Sequence, residues 1–300
     1  MSSSSGSLSF GLLGAGRIGK THATAILGIP GAKLAAVYDP IDAAADHIVQ
    51  MSGAQRASVE EIFADKSIDA VLICTPTDMH ADQIELAAKA GKAIFCEKPV
   101  VGTPAQTVRA EQAARHAGVV TGVGYNYRWA PLVQHARKMI ADGTIGTVTN
   151  YYGRFYSMYG SDPMGLLSWR FLVDQAGHGV STDILSHSVD LAHYLVGPID
   201  RVVGTGETFI KQRPLPSGSG THYDRGKPGD PTGEVTNEDY VGMMCVFGNG
   251  ARGTFEVSRS VVGPESQNMF EVYGTKGSIR WNFEKMNELQ VYVAADHAHT

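Results

Sequence analysis

Short apolar runs alternate with amphipathic segments through the first 124 residues of the chain. The runs at residues 8–13, 34–38, 70–74, 93–96 and 119–123 are typical of buried strands, and helical patterns lie between them at residues 20–27, at residues 80–90 and from Pro104 onwards. Strands that alternate with helices predict a parallel, doubly wound sheet. Because ligands of such sheets bind at the carboxyl ends of the strands, we expect the chemistry of this half to lie there.

After residue 124 the pattern changes to a few helices and several hairpins. A helical segment is predicted over residues 131–141 and a strand over residues 148–156. Later strands flank glycine-rich turns, in the pairs 240–247 with 251–258 and 270–273 with 278–282. We therefore predict two domains, residues 1–124 and residues 125–300.

Composition narrows the class of partner. The chain has 300 residues, 43% of them hydrophobic, which is enough for two cores. Its formal charge of -5, from 25 basic and 30 acidic residues without long runs, argues against nucleic acid or a membrane surface and favours a small molecule. No run of about 18 apolar residues occurs, as a membrane-spanning helix requires. Cys74, Cys96 and Cys245 lie in apolar strand-like runs, which indicates buried thiols in a reducing, cytoplasmic compartment. We expect the serine-rich start to be disordered.

A glycine motif, GAGRIG at residues 14–19, follows the first apolar run. In a dinucleotide-binding turn the first glycine permits the tight turn, the second admits the pyrophosphate and the third packs helix on strand. Asp39 ends the next apolar run, about 20 residues further on, where an acidic residue binds the ribose 2'-hydroxyl. No basic residue follows it to bind a 2'-phosphate, so we expect NAD in preference to NADP. The alternative role of Asp39 is to start a turn before Pro40.

Two polar clusters follow later strands of the same half. One is Thr75-Pro76-Thr77 with His80, and the other is Glu97-Lys98-Pro99. Both are predicted at the edge of the sheet where a cofactor binds. The expected cofactor contacts in this half are Gly14, Gly16, Arg17, Ile18, Asp39, Thr75, Pro76, His80, Glu97 and Lys98.

The stretch STDILSHSVDL at residues 181–191 places Asp183, His187 and Asp190 at intervals of four and three residues in an apolar helical run. Such positions share one helix face. Three interpretations remain open: a solvent-facing stripe, an acid/base face that lines a cleft, and a metal site. The metal site is the least favoured, because the chain has no CxxC or HExxH pattern.

Taken together, the motifs GAGRIG, CTPTDMH, EKP, YNYR, SWR and DILSHSVDLAHYL make the sequence resemble the Gfo/Idh/MocA family of oxidoreductases, over nearly the whole chain. Within that family it is most similar to the sugar-oxidising branch of levoglucosan and inositol dehydrogenases. The resemblance implies a Rossmann domain followed by an α/β domain with a large, mostly antiparallel sheet. In this family that sheet often builds the subunit interface, so a homodimer or homotetramer is expected.

The resemblance also implies a catalytic set of Lys98, Asp183 and His187. His187 would take the proton from a secondary sugar hydroxyl while hydride leaves the same carbon for the nicotinamide, and Lys98 would stabilise the oxygen. Asp183 would orient the substrate or the imidazole. Whether Lys98 or His187 is the base stays open, and Asp190 is left out of the set. The Lys98–Pro99 bond is expected to be cis.

Four further residues are candidates of second rank. Tyr127, Arg128 and Trp169 are candidates for binding the sugar, and Arg170 for contacting the cofactor, because an aromatic ring beside a forked donor suits such ligands. Ordinary structural roles for the Trp and the Arg residues carry equal weight.

The sequence departs from the family pattern in three places. His178 stands between two glycines before the catalytic helix. Residues 211–233 form a Pro/Gly-rich insertion, which we expect to be a lid, an intersubunit arm or disordered chain. The chain stops at HAHT where relatives of this branch usually continue, which suggests a truncated product.

Three functions are consistent with these features. The first is an NAD-dependent dehydrogenase of a pyranose sugar, an anhydrosugar or a cyclic polyol. The second is an NAD-dependent glycosidase on the same scaffold, and the third is a non-catalytic dinucleotide-sensing regulator. Lys98, Asp183 and His187 argue against the regulator, since a sensor needs no proton-transfer groups. The particular sugar cannot be inferred from the sequence.

Overall fold

The computed structural model describes residues 7–218 and 220–297, so the serine-rich start that we expect to be disordered lies outside its range, apart from Ser7. Contacts along the chain divide it between Gly124 and Tyr125 into two compact units. In the part of the chain that the structure describes, no helix is long and apolar enough to cross a membrane.

The first unit is a doubly wound sheet, as predicted. Its strands are β1 (Leu8–Leu13), β2 (Ala32–Tyr38), β3 (Gln55–Arg56), β4 (Ala70–Ile73), β5 (Ala93–Cys96) and β6 (Thr121–Val123). Its helices are α1 (Arg17–Leu27), α2 (Asp42–Ser52), α3 (Val59–Ala64), α4 (Thr77–Lys89) and α5 (Pro104–Ala117). All strand pairs are parallel, in the order β3-β2-β1-β4-β5-β6. The order reverses between β1 and β4, and a crevice for ligands forms at such a reversal.

Neighbouring residues of these strands point to opposite faces of the sheet, and both faces are covered. Leu12 and Leu72 belong to one buried cluster, whereas Leu13 and Ile73 belong to another. This explains why the strands read as unbroken apolar runs in the sequence.

Local signals set the helix ends in this unit. Ser58 and Glu61 form a capping box at the start of α3. The hydroxyl of Thr103 accepts the N–H of Gln106 at the start of α5, and Gly118 ends that helix with a φ of +66°. The α4 helix begins at Thr77, three residues before the predicted start.

The second unit contains a sheet of mixed direction. Its strands are β7 (Val148–Tyr156), β8 (Ile199–Glu207), β9 (Gln212–Pro214), β10 (Thr232–Glu234), β11 (Tyr240–Phe247), β12 (Arg252–Ser258), β13 (Gln267–Gly274), β14 (Gly277–Asn282) and β15 (Leu289–Val293). Its α-helices are α6 (Pro131–Ala141), α7 (Val173–Ala176), α8 (Val180–Asp183) and α9 (Leu185–Leu195), with 3-10 turns at Asn126–Trp129, Trp169–Phe171, Phe283–Lys285 and Ala294–His297.

Within the described residues, seven of these strands form one sheet in the order β15-β14-β13-β7-β12-β11-β8. The β7 and β12 strands are parallel, and the other neighbours are antiparallel. The predicted large, mostly antiparallel sheet is therefore confirmed, including both predicted hairpins.

One face of this sheet carries the core of the unit. Tyr151, Phe155 and Phe270 are buried in a cluster that includes Val133 of α6 and Leu191 of α9. The alternate positions point away from the helices, and several of them are partly or fully exposed. We call this other side the open face; it includes Tyr152, Arg154, Met244, Glu256 and Tyr273.

The sequence predicts one continuous helix around Asp183, and this prediction is wrong. The α8 helix ends at Asp183, and α9 begins at Leu185 after a break at Ile184, whose φ and ψ are -113° and -31°. Asp183 therefore does not continue the helix face of His187 and Asp190. The break frees Asp183 to make contacts that a continuous helix would direct elsewhere.

The insertion at residues 211–233 has regular structure at its base. The β9 and β10 strands form an antiparallel ribbon in which Gln212 pairs with Glu234 and Pro214 with Thr232. Apart from Pro214 and Gly233, the Pro and Gly residues lie between the two strands, which explains why the sequence there shows no periodic pattern.

Candidate active site

The glycine loop between β1 and α1 has the geometry of a dinucleotide-binding turn. Gly14 has a φ of +92°, and a Cβ there would lie 2.6 Å from the carbonyl oxygen of Cys74. A Cβ on Gly19 would lie 2.1 Å from the carbonyl oxygen of Gly14, so only glycine permits this close approach of helix and loop. No atom lies within 4 Å of the corresponding position on Gly16, and the neighbouring Arg17 and Ile18 are exposed. The loop is closed towards the sheet and open at the helix N-terminus.

The carboxylate of Asp39 connects this loop to the turn after β2. Its Oδ2 accepts the N–H of Ala15 at 2.7 Å, and its Oδ1 accepts the N–H of Ile41 at 2.9 Å. Asp39 thus has the turn-forming role that the sequence left open, and it also holds the glycine loop. Because each carboxylate oxygen accepts more than one hydrogen bond, half-buried Asp39 retains the capacity to bind a hydroxyl.

A cleft of about 420 Å³ opens beside Asp39, and Arg56 of β3 lines it. Sequence reasoning did not place a basic residue here, because only the pairing of β3 with β2 brings Arg56 to this end of the sheet. The guanidinium forms ion pairs with Asp42 and Asp46 of α2. The charge of Arg56 is therefore balanced by two neighbouring carboxylates.

His80 holds together the loops that follow β4 and β5. Its ring is 1% exposed, with Nε2 lying 2.8 Å from the carbonyl oxygen of Thr75. Nδ1 lies 3.1 Å from the carbonyl oxygens of both Pro99 and Val100. The hydroxyl of Thr75 donates to Oε1 of Gln83 at 2.6 Å. The ring of His80 therefore contacts backbone and holds these two loops in place.

Glu97 is held by a residue that the sequence reasoning missed. Nε2 of His22, on α1, lies 2.7 Å from Oε1 of Glu97, and the N–H of Lys98 donates to Oε2 at 3.1 Å. His22 lies three residues past Gly19, on the helix that the glycine motif opens, which is a signal that the sequence offered. The Lys98–Pro99 peptide bond is cis, as expected.

The three cysteines are free thiols buried within the two units, which confirms the prediction of buried thiols. Burial raises the pKa of Cys74 to about 12, and it also raises the pKa of Cys96 and of Cys245. These thiols are protonated at neutral pH, so none of them has the thiolate character of a nucleophile.

In the second unit, aromatic rings surround the imidazole of His187. The ring centroids of Tyr125 and Tyr127 lie 5.5 and 4.9 Å from that of His187, both nearly perpendicular to it, and that of Phe155 lies 6.0 Å away. His187 is 7% exposed. His187 is thus buried, and Asp183 and Asp190 are partly buried, so the interpretation as a solvent-facing stripe is wrong.

Arg128 is anchored to α9 through Asp190. Its Nε donates to Oδ2 of Asp190 at 2.9 Å and its second guanidinium nitrogen bonds Oδ1. The guanidinium also lies 5.0 Å from the ring centroid of Tyr194. This forked pair holds the 126–129 turn, which carries Tyr127, against the helix that carries His187. The geometry therefore gives both Arg128 and Asp190 a structural contact.

One carboxylate oxygen of Asp183 accepts hydrogen bonds from two donors. The hydroxyl of Tyr159 donates to Oδ2 at 2.9 Å, and Nη1 of Arg170 lies 3.4 Å from the same atom. Arg170 also stacks over the exposed ring of Trp169, with 4.6 Å between guanidinium and centroid. Its carbonyl oxygen is held by Nδ2 of Asn237 at 3.0 Å. Arg170 therefore links two predicted site residues, whereas Tyr159 carried no signal in the sequence.

The short α8 helix is capped by Glu238, which comes from the loop before β11. Its carboxylate accepts the N–H of Gly179 at 3.0 Å and that of Ser181 at 2.9 Å. Gly179 is required here, since a Cβ would lie 2.1 Å from the carbonyl oxygen of Glu238. His178 is exposed, and its carbonyl accepts the hydroxyl of Thr182 at 2.6 Å.

These groups suit proton transfer to or from a polar, hydroxylated ligand. An imidazole among aromatic rings, a carboxylate with two fixed donors and an exposed Trp beside an Arg are the kinds of side chain that bind and deprotonate a sugar. Among residues 7–218 and 220–297, no three His, Cys, Asp or Glu side chains are grouped so as to hold a metal ion.

Family models match both halves of the chain. Residues 8–125 match the oxidoreductase family with an NAD-binding Rossmann fold, and residues 133–280 match the GFO/IDH/MocA C-terminal domain.

Two curated relatives cover nearly the whole chain. Levoglucosan dehydrogenase of Pseudarthrobacter phenanthrenivorans is 36% identical over 97% of this chain and 77% of its own length. Inositol 2-dehydrogenase of Rhizobium meliloti is 34% identical over 97% of this chain and 80% of its own.

A solved structure of a levoglucosan dehydrogenase in complex with NADH and L-sorbose superimposes with a TM-score of 0.90 at 34% identity, over 98% of this chain and 78% of that one. Family models, relatives and structure agree across both units, and the chain therefore belongs to the Gfo/Idh/MocA family of NAD-binding oxidoreductases.

Proposed function

We propose that the protein is an NAD-dependent dehydrogenase that oxidises a secondary hydroxyl of a pyranose sugar, an anhydrosugar or a cyclic polyol. The setting of His187 carries the proposal: a titratable imidazole enclosed by Tyr125, Tyr127 and Phe155, in a chain whose relatives are sugar and inositol dehydrogenases. A regulator that only senses a dinucleotide has no use for such a group. The proposal therefore favours catalysis over sensing.

The first unit fits NAD by its own geometry. The space in front of Gly16 and the exposed first turn of α1 suit the pyrophosphate, since backbone N–H groups and the helix dipole favour an anion there. Asp39 is the proposed partner of the adenosine ribose. The rest of NAD is proposed to contact Thr75, Pro76 and Glu97. These residues lie on loops that His80 and His22 hold. Bound NAD supplies the hydride acceptor of the reaction.

His187 and Lys98 are the proposed groups that act on the substrate hydroxyl. His187 takes its proton, and the ammonium of Lys98 donates a hydrogen bond to the oxygen and stabilises its developing negative charge. Asp183 accepts a hydrogen bond from a neighbouring hydroxyl and so orients the ring. Trp169 and Tyr127 are proposed to contact the apolar faces of the sugar.

NAD is proposed in preference to NADP. The cleft beside Asp39 contains the carboxylates of Asp39, Asp42 and Glu61, and the charge of Arg56 is balanced by Asp42 and Asp46. A 2'-phosphate there would meet an excess of negative charge. We expect kcat/KM with NAD to exceed that with NADP by at least about tenfold, measured on the same sugar; equal values would contradict the preference.

The assembly is proposed to be a homodimer or homotetramer formed through the open face. That face exposes Met244 and Tyr273 beside the charged Arg154 and Glu256. Aromatic and Met side chains are enriched in protein interfaces. A cytoplasmic location is proposed from the free, buried cysteines, which fit a reducing compartment.

An NAD-reduction screen tests the function. The purified protein is incubated with NAD or NADP and levoglucosan, glucose, galactose, myo-inositol or a glycoside, and both NADH absorbance and released sugar are measured. NADH formed with one ring substrate supports the proposal and identifies the substrate class. Free sugar released from a glycoside without NADH would instead support the NAD-dependent glycosidase, and NAD binding without either product would support the regulator.

A further inference from the structure

The insertion at residues 211–233 is bound along its length to the loop at residues 157–168. The N–H of Leu167 donates to the carbonyl oxygen of Pro214 at 2.8 Å, and that of Leu166 to Asp224 at 3.0 Å. The N–H of Gly226 donates in return to Met164 at 2.9 Å. These three backbone hydrogen bonds involve both the first and the second half of the insertion. They join the insertion and the 157–168 loop into one layer.

A buried guanidinium reinforces this layer. Arg213 is 1% exposed and donates to the carbonyl oxygens of Asp162 at 2.7 Å and of Gly160. It also stacks on the buried ring of Phe171, with 4.0 Å between guanidinium and centroid. On the surface, Nε of Arg225 pairs with Asp162 at 2.7 Å. A segment anchored by a buried, hydrogen-bonded cation opens only at a high free-energy cost, which argues against a mobile lid.

The insertion also places the imidazole of His222 beside Tyr159 and Phe171. The ring centroid of His222, from the insertion, lies 5.5 Å from that of Tyr159 and 6.3 Å from that of Phe171. Its backbone is fixed by close packing, since a Cβ on Gly165 would lie 3.0 Å from the carbonyl oxygen of His222. His222 is half-buried, whereas the adjacent Tyr223 is 63% exposed.

Tyr159 connects His222 to Asp183, because its ring contacts His222 and its hydroxyl bonds the carboxylate of Asp183. Its hydroxyl donates to Oδ2 of Asp183 at 2.9 Å, and the phenol can rotate about its χ angles unless its ring is held. Burial raises the pKa of Tyr159 well above 10, so the hydroxyl stays a donor throughout the neutral range. The ring of Tyr159 packs against the core of the unit on one side, and His222 is its ring neighbour in the insertion, so His222 contributes to the constraint that aims this hydroxyl.

We propose that residues 211–218 and 220–233 form a fixed wall of the active site and that His222 is a positioning residue, which holds Tyr159 and through it Asp183 in the orientation that the sugar requires. This inference rests on the proposed function of Asp183. It gives the insertion a role in substrate orientation.

The test compares four variants with the wild type on the sugar that the NAD-reduction screen identifies. His222→Leu removes the aromatic ring but fills the space, His222→Phe keeps a ring, Tyr159→Phe keeps the ring but removes the donor, and Lys227→Ala is an exposed control on the same insertion. Circular dichroism and the Tm establish that each variant folds. The steady-state parameters are then measured separately for the sugar and for NAD.

His222→Leu and Tyr159→Phe are each expected to lower kcat/KM for the sugar by about tenfold or more, with the KM for NAD unchanged. His222→Phe and Lys227→Ala are expected to stay close to the wild type. The double variant His222→Leu with Tyr159→Phe is expected to lose no more than Tyr159→Phe alone, because His222 acts through the phenol.

Normal activity of His222→Leu, an equal loss in His222→Phe, or losses that multiply in the double variant would each overturn the role of His222. A wild type that oxidises none of the sugars contradicts the proposed function instead. The ring contact is then tested alone, by calorimetric Kd values for levoglucosan in the presence of NADH, with the same expected order of variants.

Discussion

At the scale of single residues, His187 and Asp183 show how neighbours define a chemical role. Both were candidates from sequence, but the rings around His187 and the two donors on Asp183 come from Tyr127, Phe155, Tyr159 and Arg170. Ring contacts keep water from the imidazole, and fixed donors keep the carboxylate in one orientation. The spacing of residues along the chain carries no information about such contacts.

We predict that His187→Ala and Lys98→Met each lower kcat by about 10²–10⁴-fold, the usual contribution of a positioned proton-transfer or charge-stabilising group. Initial rates of NADH formation at saturating sugar measure the effect. His135→Ala, which removes an exposed histidine of α6, is the matched control and should leave kcat unchanged. Near-normal turnover of either variant would contradict the role assigned to that residue.

Glu238 is a second residue whose role can be tested, through the pH dependence of stability. Burial raises its pKa, but the hydrogen bonds from Ser181 and Gly179 outweigh burial, so the pKa lies below its ordinary value of 4.5. A carboxylate with a lowered pKa in the folded state stabilises the fold above its unfolded pKa, and this contribution is lost as the pH falls through the folded pKa.

We therefore predict that Glu238→Gln lowers the free energy of unfolding by about 1–2 kcal/mol at pH 7, since it weakens the cap of α8. The difference from the wild type should shrink as the pH falls below about 4.5. Urea unfolding at several pH values measures it. A difference that is constant with pH would show that the charge of Glu238 is not what stabilises the helix.

At the scale of elements, the start of α1 is set by contacts that glycine alone permits. We predict that Gly19→Ala displaces α1 and weakens NAD binding by at least about tenfold, because its Cβ would lie 2.1 Å from the carbonyl oxygen of Gly14. Titration with NADH, followed by fluorescence, measures the Kd. Gly102→Ala is the control, since no atom lies within 4 Å of that Cβ position and its φ is not positive. Equal Kd values for the two variants would contradict the steric argument.

The break between α8 and α9 shows where inference from helical periodicity fails. Residues 181–191 fit a helix throughout, and no Gly or Pro marks Ile184 as an interruption. The break is accompanied by contacts from outside the segment: Glu238 caps α8, and Arg128 fixes α9 through Asp190. Propensity is a weak preference that tertiary contacts override.

At the scale of the whole molecule, the open face of the second sheet is the proposed subunit interface. We predict that the protein is a dimer or tetramer and that Met244→Glu, which places a charge on β11 in the open face, reduces its mass. Light scattering after size-exclusion chromatography measures that mass. Met286→Glu changes an exposed methionine outside the sheet and should leave the mass unchanged. A Met244→Glu variant with the mass of the wild type would argue against this face as the interface.

Local patterns were sufficient for the doubly wound fold of the first unit, for the glycine loop, for both hairpins and for most of the longer strands, because these follow from burial periodicity and from backbone conformations that glycine imposes on its own neighbours. The large antiparallel sheet was expected from the family resemblance, and β8 was not predicted. They were also sufficient, with the family motifs, to single out Lys98, Asp183 and His187. Tertiary structure alone decided that Arg56 lines the cleft beside Asp39 and that His22 holds Glu97. It also decided that Tyr159 donates a hydrogen bond to Asp183 and that His222 contacts the ring of Tyr159. The reason is physical: each of these contacts joins segments far apart in the chain, and their direction depends on how strands and loops pack.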